Sequence, residues 1–307
     1  MAEQPESAAP APPPAPAGFG EASLPAAPRP GRAQSFLPSA LRVFDLSLGQ
    51  MLWSRRTIFL ALVVSAPMML GVIVRVLASS GVNGVVHMGG GAVINGPSIF
   101  GLFIWLLFLR FIVPVLGVFY GTSLVADEVE DKTITYLFTR PIPRGAVVVG
   151  KYLAYLAATV LVVLPSVMLL YFLVVPIQGG SIAATFPSLL EDLALLGIGL
   201  ATYGSLFAWV GCQFKYPLVT GLVFAFGWEP AMLLIPGYLK RLTIAYYVQQ
   251  MVPHAMPQDD SALSILQVVA RDALPVPVAL ICLAAVWLGF LTLAAWTVSR
   301  REYVLEQ

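Results

Sequence analysis

The chain has 307 residues, of which 58% are hydrophobic and only 11% are charged. Soluble domains carry about 25% charged residues, so the composition excludes a soluble globular protein and predicts an integral membrane protein. The net charge of +1 excludes a basic surface for nucleic acid, and two histidines are too few for a His-rich metal site. Cys212 and Cys282 lie in or beside apolar runs, which predicts small buried residues rather than a disulfide or a metal pair.

Residues 1–34 consist mostly of alanine and proline, a composition that cannot bury a core. We expect a disordered cytoplasmic tail. Docking of a partner through the proline run at 12–14 is the alternative function for this tail.

The residues after the tail predict an amphipathic helix from Ala40 to about Trp53. Leu41, Phe44 and Leu48 fall on one face of it. Ser39 stands where a side chain would cap its first turn. A helix of this kind ahead of the first span is expected to lie in the membrane interface.

Six apolar segments are long enough to cross about 30 Å of hydrocarbon, which takes about 20 residues. They are 58–77, 99–120, 152–175, 193–214, 216–236 and 276–298. We therefore predict an all-α integral membrane protein whose six transmembrane helices occupy a single domain, residues 35–307. Lys215 alone separates the fourth segment from the fifth, which predicts a tight helical hairpin.

Lysine and arginine residues near the ends of the spans set the predicted orientation. With a cytoplasmic amino terminus, the inner side holds Arg55, Arg56, Lys132, Arg140, Arg144, Lys151, Lys215, Arg300 and Arg301. The outer side holds Arg75, Lys240, Arg241 and Arg271. Both termini are therefore predicted to be cytoplasmic, and the longest outer connection is the loop 237–275.

A polar stretch, residues 120–152, separates the second predicted span from the third. One face of it repeats every four residues, at Val125, Val129, Thr133 and Leu137. With charges clustered between these positions, the pattern predicts a short amphipathic helix over 123–138. Pro141 ends that helix, because proline disfavours helical geometry in the residue before it. The stretch is where a bilayer protein is expected to contact soluble machinery.

The order acidic cluster, Lys132-Thr133, Thr139-Arg140-Pro141, Arg144 and Gly150-Lys151 resembles the cytoplasmic loop of ABC-2 type transporter permeases. The resemblance is specific over this polar stretch, and the six-span layout extends it loosely over most of the chain. Lys132 departs from it, because the family often has glycine before the threonine. The resemblance implies a permease subunit of an ATP-binding cassette transporter, with an elbow helix at 40–53 and a coupling loop at 121–151.

The resemblance further implies that a separate cytoplasmic ATP-binding cassette ATPase subunit docks on this loop and holds ATP and magnesium. The chain itself then carries no cofactor, pairs with a second permease copy or homologue, and lies among the lipids of the inner or plasma membrane of a prokaryote. The docking residues carried over are Asp127, Glu128, Val129, Glu130, Asp131, Lys132, Thr133, Leu137, Phe138, Arg140, Pro141 and Arg144. The chain lacks the Glu-Ala-Ala loop of ABC importers, which favours export.

The segment from Gly145 to Lys151 matches the first seven positions of a phosphate-binding loop. Tyr152, however, stands where magnesium binding needs Ser or Thr, and the segment opens a span instead of following a strand. No Ser or Cys nucleophile has a base at a recognisable spacing. We therefore predict that the chain is not an enzyme, and we interpret Lys151 as an anchor for phospholipid headgroups.

Two ionisable residues fall inside predicted spans, Arg110 in the second and Glu229 in the fifth. Arginine at mid-span costs about 2.5–3.5 kcal/mol, and such residues are functional candidates. One hypothesis is that they form a pair or line a translocation path, and charge reversal at both positions should then restore what each single reversal loses. The alternative is that Arg110 snorkels or bonds carbonyls while Glu229 caps a broken helix before Pro230.

Gly117 and Gly121 form a Gly-x-x-x-Gly motif that suits a close helix crossing, with a dimer interface as one option. Two other functions stay open. An ion-gradient-driven secondary transporter would use Arg110 and Glu229 as its coupling site, although no clear internal repeat supports it. A membrane-embedded enzyme or a non-transporting membrane scaffold would need a polar catalytic cluster at a span end, and only the stretch 120–152 is available for it.

Overall fold

The computed structural model describes residues 35–53, 55–80, 87–88, 92–93, 95–130, 143–235, 238–252 and 275–300. Within these ranges the chain is helical, apart from short connections and one pair of strands. The strands, His87–Met88 and Ala92–Val93, pair antiparallel in the connection after the first span. The predicted tail and most of the predicted outer loop lie outside the described residues.

The described part of the chain contains eight helices, which we number in chain order. Their bounds are α1 Phe36–Leu52, α2 Arg55–Ser79, α3 Gly96–Glu130, α4 Arg144–Val174, α5 Ile182–Gln213, α6 Pro217–Leu234, α7 Ile244–Gln249 and α8 Val276–Arg300. Short 3₁₀ turns, Ile177–Gly179 and Tyr238–Leu242, precede α5 and α7.

Five of these helices are long and apolar enough to cross a membrane, namely α2, α3, α4, α5 and α8. The apolar helix α6 is shorter, and it stands where the sequence predicts the fifth of six spans. The all-α multi-pass architecture is confirmed, whereas a sixth full-length span is not. Helices α4 and α5 begin earlier than predicted, because backbone hydrogen bonding continues through Lys151 and Asp192, where an apolar run stops.

Helices α3 and α6 each contain segments of π-helix. In α3 they span Phe103–Ile112 and Gly117–Gly121, and in α6 they span Phe224–Trp228. Pro114 and Pro230 follow the first and the last of these segments, and each lacks the N–H that would bond the carbonyl four residues earlier. A π turn lets such a carbonyl accept from a later N–H, so both helices continue past the proline instead of breaking.

The core of the bundle is the crossing of α3 and α5, the two most buried spans. Glycines let their backbones approach closely. A Cβ atom added at Gly121 would lie 2.9 Å from Phe207 Cβ, and one at Gly211 would lie 2.4 Å from the Thr122 carbonyl oxygen. Gly117 also packs on α5, so the Gly-x-x-x-Gly motif serves packing within the chain rather than between copies.

Helix α1 packs along the first half of α4. Gly150 marks the crossing, because a Cβ atom there would lie 2.5 Å from the Ala40 carbonyl oxygen. The helix begins at Phe36, one turn earlier than predicted, with Ser35 at its N-cap. The predicted cap, Ser39, donates its hydroxyl to the Ser35 carbonyl at 3.1 Å from inside the first turn, so the cap prediction is wrong.

Tyr152 joins three spans. Its hydroxyl, on α4, donates to the Ala201 carbonyl of α5 at 2.8 Å and accepts from Trp287 Nε1 of α8 at 2.7 Å. One turn further along α4, the Tyr155 hydroxyl donates to the Leu200 carbonyl at 3.0 Å. Polar groups in an apolar interior must be paired, so these bonds hold α4, α5 and α8 in one arrangement.

Replacing Gly211 by alanine is expected to destabilise the protein. The new Cβ would meet a backbone carbonyl at 2.4 Å, which can move only if α3 and α5 separate, and overpacking of this kind costs about 1–3 kcal/mol. Gly197→Ala is the matched control, because it lies on the same helix and has no atom within 4 Å of the added Cβ. In a thermal unfolding assay in detergent, only Gly211→Ala should lower the melting temperature. Equal melting temperatures would contradict the close crossing.

Candidate functional site

The predicted cytoplasmic segment begins as a direct continuation of α3. Residues Thr122–Glu130 are α-helical and follow the π turn Gly117–Gly121 without a break. The predicted helix over 123–138 is therefore joined to the second span over its first half. Four docking residues lie on this part of the backbone, and their side chains are outside what the structure describes: Asp127, Glu128, Val129 and Glu130.

Most of the other predicted docking residues lie outside the described part of the chain. They are Asp131, Lys132, Thr133, Leu137, Phe138, Arg140 and Pro141. Arg144 is the first residue of α4, and its exposed side chain lines an open cavity of about 580 Å³ together with Phe36 and Trp296. Residues 145–151 are helical throughout, so they do not form the phosphate-binding loop that their spacing resembles.

The base of the charged segment at the end of α3 is fixed to the two neighbouring spans. Leu124 and Val125 are buried, and the Lys151 ammonium of α4 donates to the Leu124 carbonyl at 3.3 Å. On the other side, the Thr122 carbonyl packs against Gly211 of α5. Lys151 therefore holds α3 against α4, a role that the sequence analysis did not anticipate. The base of this segment is therefore in contact with both spans.

A second candidate site is a pocket of about 310 Å³ between α3, α5 and α6, with α7 at its edge. Its walls are mostly leucine, phenylalanine and proline side chains. Two π segments, Phe103–Ile112 and Phe224–Trp228, supply more than half of the lining residues. Arg110, Tyr203 and Glu229 are its polar groups. The pocket thus brings together the two intramembrane charges that the sequence singles out.

Glu229 is almost fully buried, with 3% of its surface exposed, and it links its own helix to two others. It belongs to α6, the Tyr203 hydroxyl of α5 donates to its Oε2, and the Ile244 N–H of α7 donates to its Oε1 at 3.1 Å. The carboxylate therefore caps the amino end of α7, where backbone N–H groups have no partner inside the helix. Helix α6 is unbroken at Pro230, so Glu229 caps a different helix from the one expected.

Arg110 lines the same pocket from near the middle of α3. Its charge acts on Glu229 electrostatically, yet among the described residues no carboxylate oxygen lies within 4.0 Å of its guanidinium. The hydrogen bonds of the carboxylate come instead from Tyr203 and Ile244. Reversing both charges would place a cation against the Ile244 N–H. Rescue by double reversal, which a simple ion pair would allow, does not follow from this geometry.

Sequence reasoning missed two buried polar side chains. Tyr203 sits inside an apolar run with no charge nearby in sequence, so only its tertiary contact with Glu229 reveals its role. Asp192 is fully buried within α5, but it stands one residue before the predicted span 193–214. With the span beginning at Ile182, Asp192 lies inside it. An acidic residue inside a span is the sequence signal for a candidate functional position.

A bundle with five helices long and apolar enough to cross a membrane, one of which continues into a charged segment and lines a charged pocket, defines a multi-pass membrane protein. The chain matches the family model described as ABC-2 family transporter protein over residues 47–303. The match begins within α1 and ends beyond α8. The chain therefore belongs to the ABC-2 transporter family, as the polar stretch 120–152 indicates. Comparison with curated proteins gives no match.

A double-mutant cycle of Tyr203→Phe and Glu229→Gln tests the buried hydrogen bond between α5 and α6. The two residues share one contact, so we expect a coupling free energy of about 0.5–3 kcal/mol in unfolding measurements. Tyr216→Phe is the matched control, because it removes the same hydroxyl at an exposed position at the start of α6. It should show no coupling to Glu229→Gln. Additive effects of Tyr203→Phe and Glu229→Gln would contradict the assigned contact.

Proposed function

We propose that this chain is the transmembrane permease subunit of an ATP-binding cassette transporter driven by a separate cytoplasmic ATPase subunit. The observation that carries the proposal is the unbroken α3, which runs from Gly96 through the membrane to Glu130 and ends in a cluster of acidic residues. A helix is held along its length by backbone hydrogen bonds. A partner that displaces its charged end therefore displaces its intramembrane part as well.

The docking surface in this proposal is the coupling loop, residues 121–151. Its acidic residues orient the ATPase subunit, while Val129, Leu137 and Phe138 supply the apolar contacts that carry most binding energy. ATP and magnesium are held by the partner. The chain acts as one half of a dimer with a second permease copy or homologue, and closure of the two ATPase subunits drives both coupling loops.

Contacts within the chain give a route for this displacement. Lys151 and Gly211 connect the base of the coupling loop to α4 and α5. Helix α5 then carries Tyr203, which holds Glu229 of α6 and, through it, the amino end of α7. Arg110 and Glu229 line the translocation path in this proposal, and the ABC-2 resemblance favours export.

The proposed orientation has both termini in the cytoplasm of a prokaryotic cell. The end of α8 packs near the start of α4, since a Cβ atom at Gly145 would lie 3.5 Å from Ala295 Cβ. Arg144 and Arg300 therefore lie on the same side as the end of α3, and a concentration of basic residues is typical of the cytoplasmic side. Helix α1 would lie at this surface as the elbow helix, with Trp53 94% exposed at its end.

The pocket around Arg110 and Glu229 is the observation that favours a second function, an ion-gradient-driven secondary transporter. Charged residues inside a membrane protein are typical of ion-coupling sites. In such a protein the acidic end of α3 would have no ATPase to bind. The two functions therefore differ in whether an ATP-binding subunit is recovered with the chain.

The proposed docking is tested by affinity purification of the full chain from its host in mild detergent, with ATPase activity measured in the eluate. The wild-type chain should recover an ATP-binding subunit. The double variant Glu128→Arg, Asp131→Arg should lose recovery by about tenfold or more, because it replaces attraction by like-charge repulsion across the contact.

The matched control is Glu191→Arg, a charge reversal at an exposed position on α5, toward the opposite membrane surface in the proposed orientation. It should retain the ATPase. If the wild-type chain recovers no ATPase while its oligomer stays intact, ABC coupling is wrong. If the double variant recovers as much as the wild type, the subunit docks elsewhere.

A further inference from the structure

The pocket between α3, α5 and α6 has one cation in an apolar wall. Leu106, Phe111, Pro114 and Phe226 are among its apolar lining residues, and Arg110 is the only basic group among the described residues that line it. A charged side chain at this depth is unfavourable unless it is compensated, so the position of Arg110 calls for an anion or water. Within the described lining, Glu229 is the only acidic residue.

The Glu229 carboxylate does not serve as that anion by direct contact. Both of its oxygens accept hydrogen bonds within the chain, one from Tyr203 and one from Ile244. No carboxylate oxygen in the described part of the chain approaches the Arg110 guanidinium within 4.0 Å. Arg110 therefore lines the pocket without a direct carboxylate contact in this part of the chain, and most of the residues around it are apolar.

The size and the opening of the pocket restrict what fits. A water molecule takes about 30 Å³ of liquid volume, so 310 Å³ holds about ten non-hydrogen atoms. The Phe111 and Phe226 rings meet at the pocket with centroids 5.9 Å apart, and both rings are exposed on the outer face of α3 and α6. A ligand that reaches the pocket along this face crosses aromatic and aliphatic surface.

We propose that this pocket binds a small anionic amphiphile, with its charged group on Arg110 and a single apolar chain against the leucine and phenylalanine walls. Guanidinium binds oxyanions through parallel hydrogen bonds, and this contact strengthens when water is excluded. A two-chain phospholipid far exceeds the pocket volume. The identification of this amphiphile as cargo rests on the proposed transport function, but the binding itself does not.

The test is photolabelling of the purified full chain in phosphatidylcholine nanodiscs. The probe is a four-carbon alkyl sulfonate with a diazirine on its chain, about ten non-hydrogen atoms in all, and its neutral analogue is the corresponding primary sulfonamide. Mass spectrometry should map the sulfonate label to residues 106–114 or 225–233, with the sulfonamide labelling these segments at least about tenfold less.

Arginine variants assign the effect to one side chain. Arg110→Gln should reduce labelling by about tenfold, Arg110→Lys should retain part of it because the charge remains, and Arg75→Gln, which removes an exposed arginine from α2, should leave it unchanged. A thermal unfolding measurement on each variant separates lost binding from lost folding. Should Arg110→Gln unfold, the comparison of sulfonate with sulfonamide on the wild type still decides the question.

Three results would overturn the proposal. They are equal labelling by the charged and neutral probes, label spread over exposed faces such as α2, and loss of the pocket label when phosphatidylglycerol replaces phosphatidylcholine. The last result would assign the pocket to a lipid headgroup. If the chain is labelled as expected but recovers no ATPase, the proposed transport function is contradicted while the binding site is still supported.

Discussion

The Glu229 carboxyl group is buried in a membrane bundle, and hydrogen bonds from two other helices satisfy it. A buried acid that loses its partners is strongly destabilising, so α6 cannot move away from Tyr203 of α5 and from the amino end of α7 without replacing those bonds. One side chain therefore makes three separate elements respond together. Glu229 therefore links the pocket in the membrane to α7, which lies in the connection between α6 and α8.

The close crossing of α3 and α5 is a second constraint on the bundle. Glycines at 121 and 211 bring the two backbones so close that no side chain separates them. The same α3 must also accommodate Pro114 and a membrane-embedded arginine, and its π turns allow both without a break. Close packing around Gly121 fits a helix that is firmly held near its charged end while its middle part lines a pocket. Proposed ATPase docking would act on that end.

Composition and apolar segment length were enough to predict an all-α multi-pass protein, and the order of charges and prolines in the polar stretch pointed to the right family. Segment limits were less accurate, because helices continue through polar residues such as the half-buried Lys151 and the buried Asp192. The sequence also marked Arg110 and Glu229 as a possible pair. It could not show that Tyr203 and a backbone N–H hold Glu229, because those partners are 26 and 15 residues away and carry no charge.

The most direct measurement is site-specific photocrosslinking in intact cells of the host. A photoreactive amino acid would replace Val129 at the end of α3, or Leu190 at an exposed position on α5 as the comparison. The account predicts that position 129 crosslinks to a polypeptide that contains an ATP-binding cassette, and that position 190 does not. Crosslinks from position 129 that contain only lipid, or an ATPase captured equally from both positions, would contradict the central claim that the end of α3 is where ATP-driven motion enters the membrane.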